Sequence, residues 1–390
     1  MKPLNAAILA IQPSATLAIA SLARQLASQG HDICNFTIGE PDFDTPDLIK
    51  DACTDALRRG QTKYTAINGI PRLCELIAAK LKRDNGLEYA PSQIVVSCGA
   101  KHSLALAFQT LLNPGDEVLL PSPFWLSYPE MIRVAGGRPV FVRSRRENDF
   151  KIAPADLAAA VTPRTAAVLI NSPSNPTGTM YAPAELQALG AKALELGLTI
   201  VSDEIYEKMV YDGNRFASLA SFGPEFYGST ITVNGFSKAF AMTGWRLGYT
   251  AAPPAFIQAM GALQSHCASA PTTFAQWGAI AALEKGEGTI AAMVRAFDER
   301  RRRIYELLRA VPGVCCPKPT GAFYVFPDIS AFGLDSVTFA RRLLEEQKVA
   351  VVPGAAFDAD ACVRFSYACG LPEIEKGLAR FRAFCESLRR

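Results

Sequence analysis

The sequence lacks the features that define several common functional classes. Its 390 residues contain three histidines, and its ten cysteines form no C-x-x-C pair and no zinc-type spacing. No segment has the roughly 18 consecutive apolar residues of a membrane span. The 40 basic residues exceed the 37 acidic ones by only three, and we interpret the one basic run, at 300–303, as a solvated helix face. We therefore expect no metal site, no membrane association and no nucleic-acid partner, and free thiols in a reducing cytoplasm.

Several short motifs are also missing. No G-x-S-x-G elbow, P-loop or H-E-x-x-H pattern occurs. Residues 286–291 fit G-x-G-x-x-A, which leaves a nicotinamide-binding protein as an alternative, but that motif needs a preceding strand and residues 279–285 are typical of a helix. The apolar run at 6–11 is shorter than a signal-peptide core and is broken by Gln12 and Pro13, so we expect it to belong to the mature protein.

The middle of the chain alternates strand-like and helix-like stretches. Apolar, β-branched runs predict strands at 94–97, 117–120, 139–142, 166–170, 199–202 and 230–233. A well-marked helix begins near Pro183 and ends near Gly197. Short apolar strands with helices between them predict an α/β fold with a buried, mainly parallel sheet.

The two ends of the chain differ from this middle part. Beyond about residue 285 a long charged helix at 290–308 is followed by short strands and a helix that begins near Pro372, which is typical of a smaller α+β domain. The first 45 residues are rich in turn formers. We predict an N-terminal arm with part of the small domain at 1–45, a large domain at 46–285 and a small domain at 286–390.

Three polar clusters follow predicted strands: NSPSNPTG at 171–178, SDEIY at 202–206 and SKAFAMTGWR at 237–246. In an open α/β sheet the carboxyl ends of the strands form the ligand-binding edge, so these clusters should converge on one crevice. Lys238, placed among Ser237, Asp203 and Arg246, can lose solvent there and shift toward its neutral form. A neutral lysine can form a Schiff base with a carbonyl compound.

Together with GEPDFDTP at 39–46, TKY at 62–64 and RFSY at 364–367, these clusters resemble class I aminotransferases of pyridoxal-phosphate fold type I, in particular the bacterial aspartate aminotransferases. The resemblance covers essentially the whole chain. It implies a large domain with a mostly parallel seven-stranded sheet between helices, a smaller α+β domain, a cytoplasmic homodimer and the cofactor pyridoxal 5′-phosphate.

The resemblance also implies roles at the cofactor ring. Lys238 would bind the cofactor as a Schiff base and then move the proton of the substrate Cα. Asp203 would pair with the pyridine nitrogen, while Tyr206 and Asn175 would hydrogen-bond the phenolic oxygen. Trp125 would stack on the ring.

The cofactor phosphate needs hydrogen-bond donors. Gly99, Ala100 and Lys101 begin a predicted helix whose amides would bind this anion, and Arg246 and Ser237 would add side-chain donors. By the resemblance, Tyr64 would reach the phosphate from a second subunit. Many relatives have serine or threonine in place of Ala100, so one contact is missing.

For the substrate, the resemblance assigns the α-carboxylate to Arg364 and the Gly39 backbone. A second carboxylate would be bound by Lys101 together with Ser14 and Thr16 from the partner's arm. Neutralising the cofactor phosphate is an equally good role for Lys101. These residues imply transamination between L-aspartate and 2-oxoglutarate. Relatives that accept prephenate have lysine where this chain has Gln12, which favours aspartate.

Alternatives remain open at this point. Aromatic or prephenate specificity, or a lyase reaction on an amino acid, would use the same Lys238, Asp203 and Arg364. A regulator in which such a domain is fused to a DNA-binding module would need an additional N-terminal segment, for which we expect no room before the arm. We interpret the three histidines, His31, His102 and His266, as structural or surface residues.

Overall fold

The computed structural model describes residues 4, 6–9, 11 and 15–389. Its helices are α1 Ala6–Leu9, α2 Ala15–Ser28, α3 Asp47–Arg58, α4 Pro71–Asn85, α5 Ala100–Leu111, α6 Ser127–Val134, α7 Pro154–Ala160, α8 Pro183–Glu195, α9 Pro224–Ser229, α10 Pro254–Cys267, α11 Thr273–Lys285, α12 Glu287–Arg309, α13 Ser336–Gln347 and α14 Leu371–Ser387. Its strands are β1 Cys34–Asn35, β2 Ile94–Ser97, β3 Glu117–Ser122, β4 Arg138–Arg143, β5 Thr165–Asn171, β6 Thr199–Asp203, β7 Thr230–Gly235, β8 Gly248–Ala251, β9 Tyr324–Val325, β10 Val349–Ala350, β11 Val352–Pro353 and β12 Val363–Ser366.

Seven strands form the main sheet, in the order β2-β8-β7-β6-β5-β3-β4. Neighbouring strands from β7 to β4 run parallel, whereas β8 is antiparallel to both β2 and β7. Apart from the edge strand β4, the strands are largely buried on both faces because helices cover both sides of the sheet, as in other α/β proteins. The predicted α/β fold with a mostly parallel seven-stranded sheet is thus confirmed.

The predicted strands coincide with β2 to β7, but the prediction missed β8. No helix separates β8 from β7, so the alternation that revealed the other strands is absent there. Gly248 in β8 lies so close to the start of α5 that an added Cβ would be 2.3 Å from the Ala100 nitrogen. Glycine at this position therefore allows the first turn of α5 to rest on the sheet.

Helix α8 illustrates how the local sequence sets an element. Pro183 begins the helix, where its missing N–H costs nothing, and Leu186 and Leu189 are buried against the sheet. Gly197 follows the helix with a φ of 71°, a left-handed conformation that glycine adopts without strain. The chain then enters β6 beside β5.

The C-terminal part forms a second core around the long helix α12. Phe297, Ile304, Phe323, Phe365 and Phe381 are completely buried in it. Strands β11, β12 and β9 form a small antiparallel sheet there. Strand β1, from the N-terminal arm, pairs in parallel with β10, which ties the arm to this part of the chain. The predicted domain boundaries at 45 and 285 stay a prediction.

The structure bears on two interpretations of the sequence around helix α12. The run at 300–303 is not simply a solvated helix face, because the side chain of Arg301 is 1% exposed and that of Arg300 is 13% exposed. Both are held by carboxylates from other segments, Asp212 and Asp42. The G-x-G-x-x-A pattern at 286–291 begins directly after helix α11, so it does not have the strand that a nicotinamide site requires.

Candidate active site

A cavity of about 690 Å³ opens at the carboxyl edge of the main sheet, between that edge and the segments that carry Gly39 and Arg364. It is lined by eleven of the predicted site residues: Gly39, Ala100, Lys101, Trp125, Asn175, Asp203, Tyr206, Ser237, Lys238, Arg246 and Arg364. The strands β5, β6 and β7 end here side by side, and Asn171 pairs with Asp203 in register. Parallel strands thus deliver the three polar clusters to one place.

Lys238 lies in the loop between β7 and β8 and donates a hydrogen bond from Nζ to the Gly39 carbonyl, at 2.6 Å. Burial at the cavity floor lowers the pKa of Lys238 to about 8, while the nearby Glu40 carboxylate opposes this shift and Arg364 and Arg246 add to it. A substantial fraction of Lys238 is therefore neutral near pH 8, and a neutral amine is a nucleophile.

Asp203 ends strand β6 and is 3% exposed. Its Oδ2 accepts a hydrogen bond from the Tyr128 hydroxyl at 2.7 Å, and its Oδ1 accepts one from the Ile205 amide at 3.2 Å. Burial raises the pKa of Asp203, although these hydrogen bonds and Lys238 lower it in part. The charged form of such a buried carboxylate would be stabilised by a cationic partner placed in the cavity.

Tyr206 follows Asp203 by three residues and points its hydroxyl to that of Tyr324 in β9, at 2.9 Å. Both tyrosines are buried, and burial raises the pKa of each phenol. They therefore stay protonated at neutral pH and can donate hydrogen bonds to a ligand oxygen.

Arg364 in β12 is 3% exposed. Its Nη1 donates to Asn175 Oδ1 and its Nη2 donates to the Thr37 carbonyl, both at 2.9 Å. Its Nε is buried without a hydrogen-bond partner among the residues that the structure describes, and the partners of its other two nitrogens there are uncharged, a side-chain amide and a backbone carbonyl. A buried guanidinium that lacks a counter-charge is a binding site for a carboxylate.

The other end of the cavity is suited to an anion. Helix α5 starts at Ala100 after Gly99, whose φ of 91° favours glycine, and the first amides of a helix have no partner within it. The Arg246 guanidinium lies against Gly99, since a Cβ there would be 2.5 Å from Nη2. Arg246 itself has a left-handed backbone, with a φ of 55°. Amides and a cation thus surround one point of the cavity.

Lys101 and Trp125 lie together, with Lys101 Nζ 4.9 Å from the centre of the Trp125 ring. Partial burial lowers the pKa of Lys101, and the positive charge of Arg246 adds to this effect. An anion between these two cations would restore the usual preference for the charged lysine.

Among the described residues, two predicted site residues, Gly99 and Tyr64, are not part of the cavity lining. Gly99 is directly behind Ala100, as described above. Tyr64 is 92% exposed, so its side chain packs against very little of its own chain. Ser14 lies outside the described residues, and of Thr16 only its place in helix α2 is described.

Sequence reasoning missed several residues of this site. The Thr37 carbonyl accepts a hydrogen bond from Arg364, and the Tyr128 hydroxyl donates one to Asp203. The Tyr324 hydroxyl is hydrogen-bonded to that of Tyr206. All three residues line the same cavity. Tyr128 lies in the first turn of helix α6, three residues after Trp125, and the two rings pack edge to face with their centres 5.3 Å apart. No local pattern marks Tyr324, since its neighbours are simply apolar.

The residues fit pyridoxal 5′-phosphate. The cavity offers a nucleophilic lysine at its floor, an anion site at one end, a buried carboxylate, and the flat face of Trp125. Each matches one part of that molecule: the aldehyde, the phosphate, the ring nitrogen and the ring face.

Comparisons with known proteins agree with this geometry. The family model "Aminotransferase class I and II" matches residues 31–381. The chain is 48% identical to an aspartate aminotransferase of Geobacillus stearothermophilus over 97% of this chain and 98% of the relative. It is 46% identical to an aspartate/prephenate aminotransferase of Cereibacter sphaeroides over 97% of both.

A solved structure of the Thermus thermophilus aspartate aminotransferase with maleate superposes on the fold with a TM-score of 0.94 and 44% identity, over 98% of this chain and all of that one. This agreement extends over both the main sheet and the C-terminal part. The chain therefore belongs to the class I and II aminotransferase family and is an enzyme that depends on pyridoxal 5′-phosphate.

Proposed function

We propose that the enzyme transfers the amino group of L-aspartate to 2-oxoglutarate in a ping-pong reaction that gives oxaloacetate and L-glutamate. The observation that carries the proposal is that Arg364, in the lining of the same cavity as Lys238, is a buried guanidinium with no counter-charge among the described residues. A substrate carboxylate on Arg364 brings the adjoining Cα to the lysine amine. The aspartate aminotransferase of Geobacillus stearothermophilus, 48% identical to this chain, supports aspartate as the donor.

When bound, pyridoxal 5′-phosphate supplies an aromatic ring that accepts the electron pair left behind by the departing Cα proton. Lys238 would hold the cofactor at its aldehyde carbon. Its Nζ, once exchanged for the substrate amine, would accept the proton of the substrate Cα. The lowered pKa of Lys238 suits this work, because a neutral amine is needed to accept a proton.

Other residues hold the ring and phosphate. Asp203 would pair with the ring nitrogen and stabilise its protonated form, while Tyr206 and Asn175 would donate hydrogen bonds to the phenolic oxygen. Trp125 would cover one ring face. The amides of Ala100 and Lys101 at the start of helix α5 would hold the phosphate, with side-chain donors from Ser237 and Arg246.

The second carboxylate of aspartate is read by Lys101, whose amine lies in the same cavity. The Thermus thermophilus enzyme was solved with maleate, a dicarboxylate with the same number of carbon atoms as aspartate. Hydroxyls of Ser14 and Thr16 from a second subunit complete this subsite. Because one relative is named an aspartate/prephenate aminotransferase, prephenate is a second acceptor to test.

We further propose a cytoplasmic homodimer. Tyr64, nearly fully exposed on its own chain, would contact the phosphate in the neighbouring subunit. All ten cysteines are free thiols, which suits a reducing compartment. In the part of the chain that the structure describes, no helix has the length and apolar character needed to cross a membrane.

Steady-state kinetics test the proposed reaction. With aspartate and 2-oxoglutarate varied together, double-reciprocal plots should give parallel lines and equal yields of oxaloacetate and glutamate. Intersecting lines, or a keto product released without formation of glutamate, would contradict a ping-pong transfer. Replacing 2-oxoglutarate by prephenate should lower kcat/KM at least about tenfold.

A further inference from the structure

We propose that Arg300 is a positioning residue of the active site, which acts by holding the segment 37–43 against Lys238 and Arg364. We call this segment the strap. The inference rests on the proposed assignment of the substrate α-carboxylate to Arg364, and it concerns a residue of the helix α12 run that the sequence suggested to be merely solvated.

The strap contacts both residues that handle the substrate. The Thr37 carbonyl accepts a hydrogen bond from Arg364 Nη2 at 2.9 Å, and the Gly39 carbonyl accepts one from Lys238 Nζ at 2.6 Å. An added Cβ on Gly39 would be 3.2 Å from the Tyr324 hydroxyl, so the backbone lies close to the cavity wall. A shift of the strap by about 1 Å would break these bonds, because a hydrogen bond weakens steeply beyond about 3.5 Å.

The strap crosses between the two parts of the fold. It follows β1, which pairs with β10 of the C-terminal part, and it leads into α3, which packs on α11 beside the main sheet. Its middle is tied to the loop of Lys238, since Thr243 Oγ1 donates to Glu40 Oε2 at 2.6 Å. Just beyond its far end, Thr45 Oγ1 donates to the Ala241 carbonyl at 2.7 Å and accepts from Trp245 Nε1 at 3.0 Å.

Arg300 attaches the far end of the strap to helix α12. Its Nη1 donates to Asp42 Oδ1 at 2.6 Å, and its guanidinium lies 5.1 Å from the ring centre of Phe43 and 5.5 Å from that of Phe297. The two rings pack edge to face, 5.4 Å apart. An ordinary exposed ion pair is worth little, but this arginine is 13% exposed and is fixed between two aromatic rings.

The helix that carries Arg300 is itself firmly held. The adjacent Arg301 is buried and donates to both oxygens of Asp212, at 2.8 and 2.7 Å, and to the Pro319 carbonyl at 2.9 Å. Asp298 on the same helix accepts a further bond from Arg301. The base from which Arg300 reaches the strap is therefore rigid.

The test compares Arg300→Met, Asp42→Asn and the double variant, all loaded with cofactor. Methionine keeps an apolar stem against the two rings, and asparagine keeps the shape of aspartate. Arg302→Met is the matched control, because Arg302 lies on the same helix, is 69% exposed and, within the described part of the chain, forms an ion pair with Asp298 alone. The readouts are KM and kcat for the best amino acid donor, amide hydrogen exchange of residues 37–43, and the melting temperature.

Each single variant should raise KM about fivefold to tenfold and change kcat less than about twofold. The reason is that the substitution disturbs the geometry of substrate binding rather than the chemical step. Exchange of the strap amides should accelerate by a similar factor. The double variant should be no worse than the poorer single one, since both changes remove one contact. The control should match the unmodified enzyme in all three respects.

The inference is overturned if KM and strap exchange stay unchanged, if only the melting temperature falls, or if Arg302→Met gives the same effects. The test does not depend on aspartate being the best donor, because the α-carboxylate is common to all amino acids. If another donor is best, the proposed specificity fails while the role of Arg300 is still decided by KM and exchange.

Discussion

Replacing Arg364 by lysine or methionine should lower kcat/KM by nearly the same factor for every amino acid donor. The guanidinium would give the α-carboxylate two charge-assisted hydrogen bonds, each worth about 1.5–3 kcal/mol. Loss of both in Arg364→Met corresponds to a fall in kcat/KM between about 10²-fold and 10⁴-fold. Lysine keeps the charge and one bond, so Arg364→Lys should lose about 10-fold to 10²-fold.

The assay measures kcat/KM for aspartate, glutamate and alanine in each variant. Because the α-carboxylate is common to the three donors, their ratios should stay within about threefold of the original ratios. Arg364 also donates to Asn175 and the Thr37 carbonyl, so melting temperatures are needed to show that each variant is folded. A methionine variant within about tenfold of the original activity, or one that loses only the dicarboxylates, would refute the assignment.

Three further predictions concern other residues of the cavity. Lys101→Met should lower kcat/KM for aspartate about tenfold more than for alanine if Lys101 binds the second carboxylate, whereas equal losses together with weaker cofactor retention would assign it to the phosphate. Tyr128→Phe removes the hydrogen bond that lowers the pKa of Asp203, so kcat should fall about tenfold with KM little changed; an unchanged kcat would contradict a role for Tyr128. In cofactor-free protein, the rate of cofactor attachment to Lys238 should rise with pH and level off above about 8, because burial lowers the pKa of this amine and the neutral form is the nucleophile; a rate that still climbs near pH 10 would contradict this.

The sequence predicted those parts of the fold that depend on local periodicity. Strands β2 to β7 and helices α8 and α12 were recognisable because apolar residues recur with a regular spacing over several turns or pleats. Strand β8 was not, because its four residues, GYTA, form no apolar run and no helix separates it from β7. Its position follows from the tertiary contact of Gly248 with helix α5, which no local pattern encodes.

The same distinction holds at the site. Lys238, Asp203 and Arg364 could be proposed because each lies in a recognisable motif, and the structure brings all three to one cavity. Tyr324 comes from a distant strand, and its role depends on how the C-terminal part packs against the main sheet. The burial of Arg301 likewise depends on Asp212, which is 89 residues away in sequence. Contacts of this kind are set by the fold as a whole.

The most direct test of the account is the absorbance spectrum of the purified, cofactor-loaded enzyme before and after addition of a single amino acid without a keto acid. We predict a visible band of cofactor attached to Lys238, which disappears in favour of the amine form of the cofactor most readily with aspartate and glutamate. Conversion that is fastest with tyrosine would contradict the proposed specificity. The absence of the band from cofactor-saturated protein would contradict the assignment of Lys238 and with it the central claim.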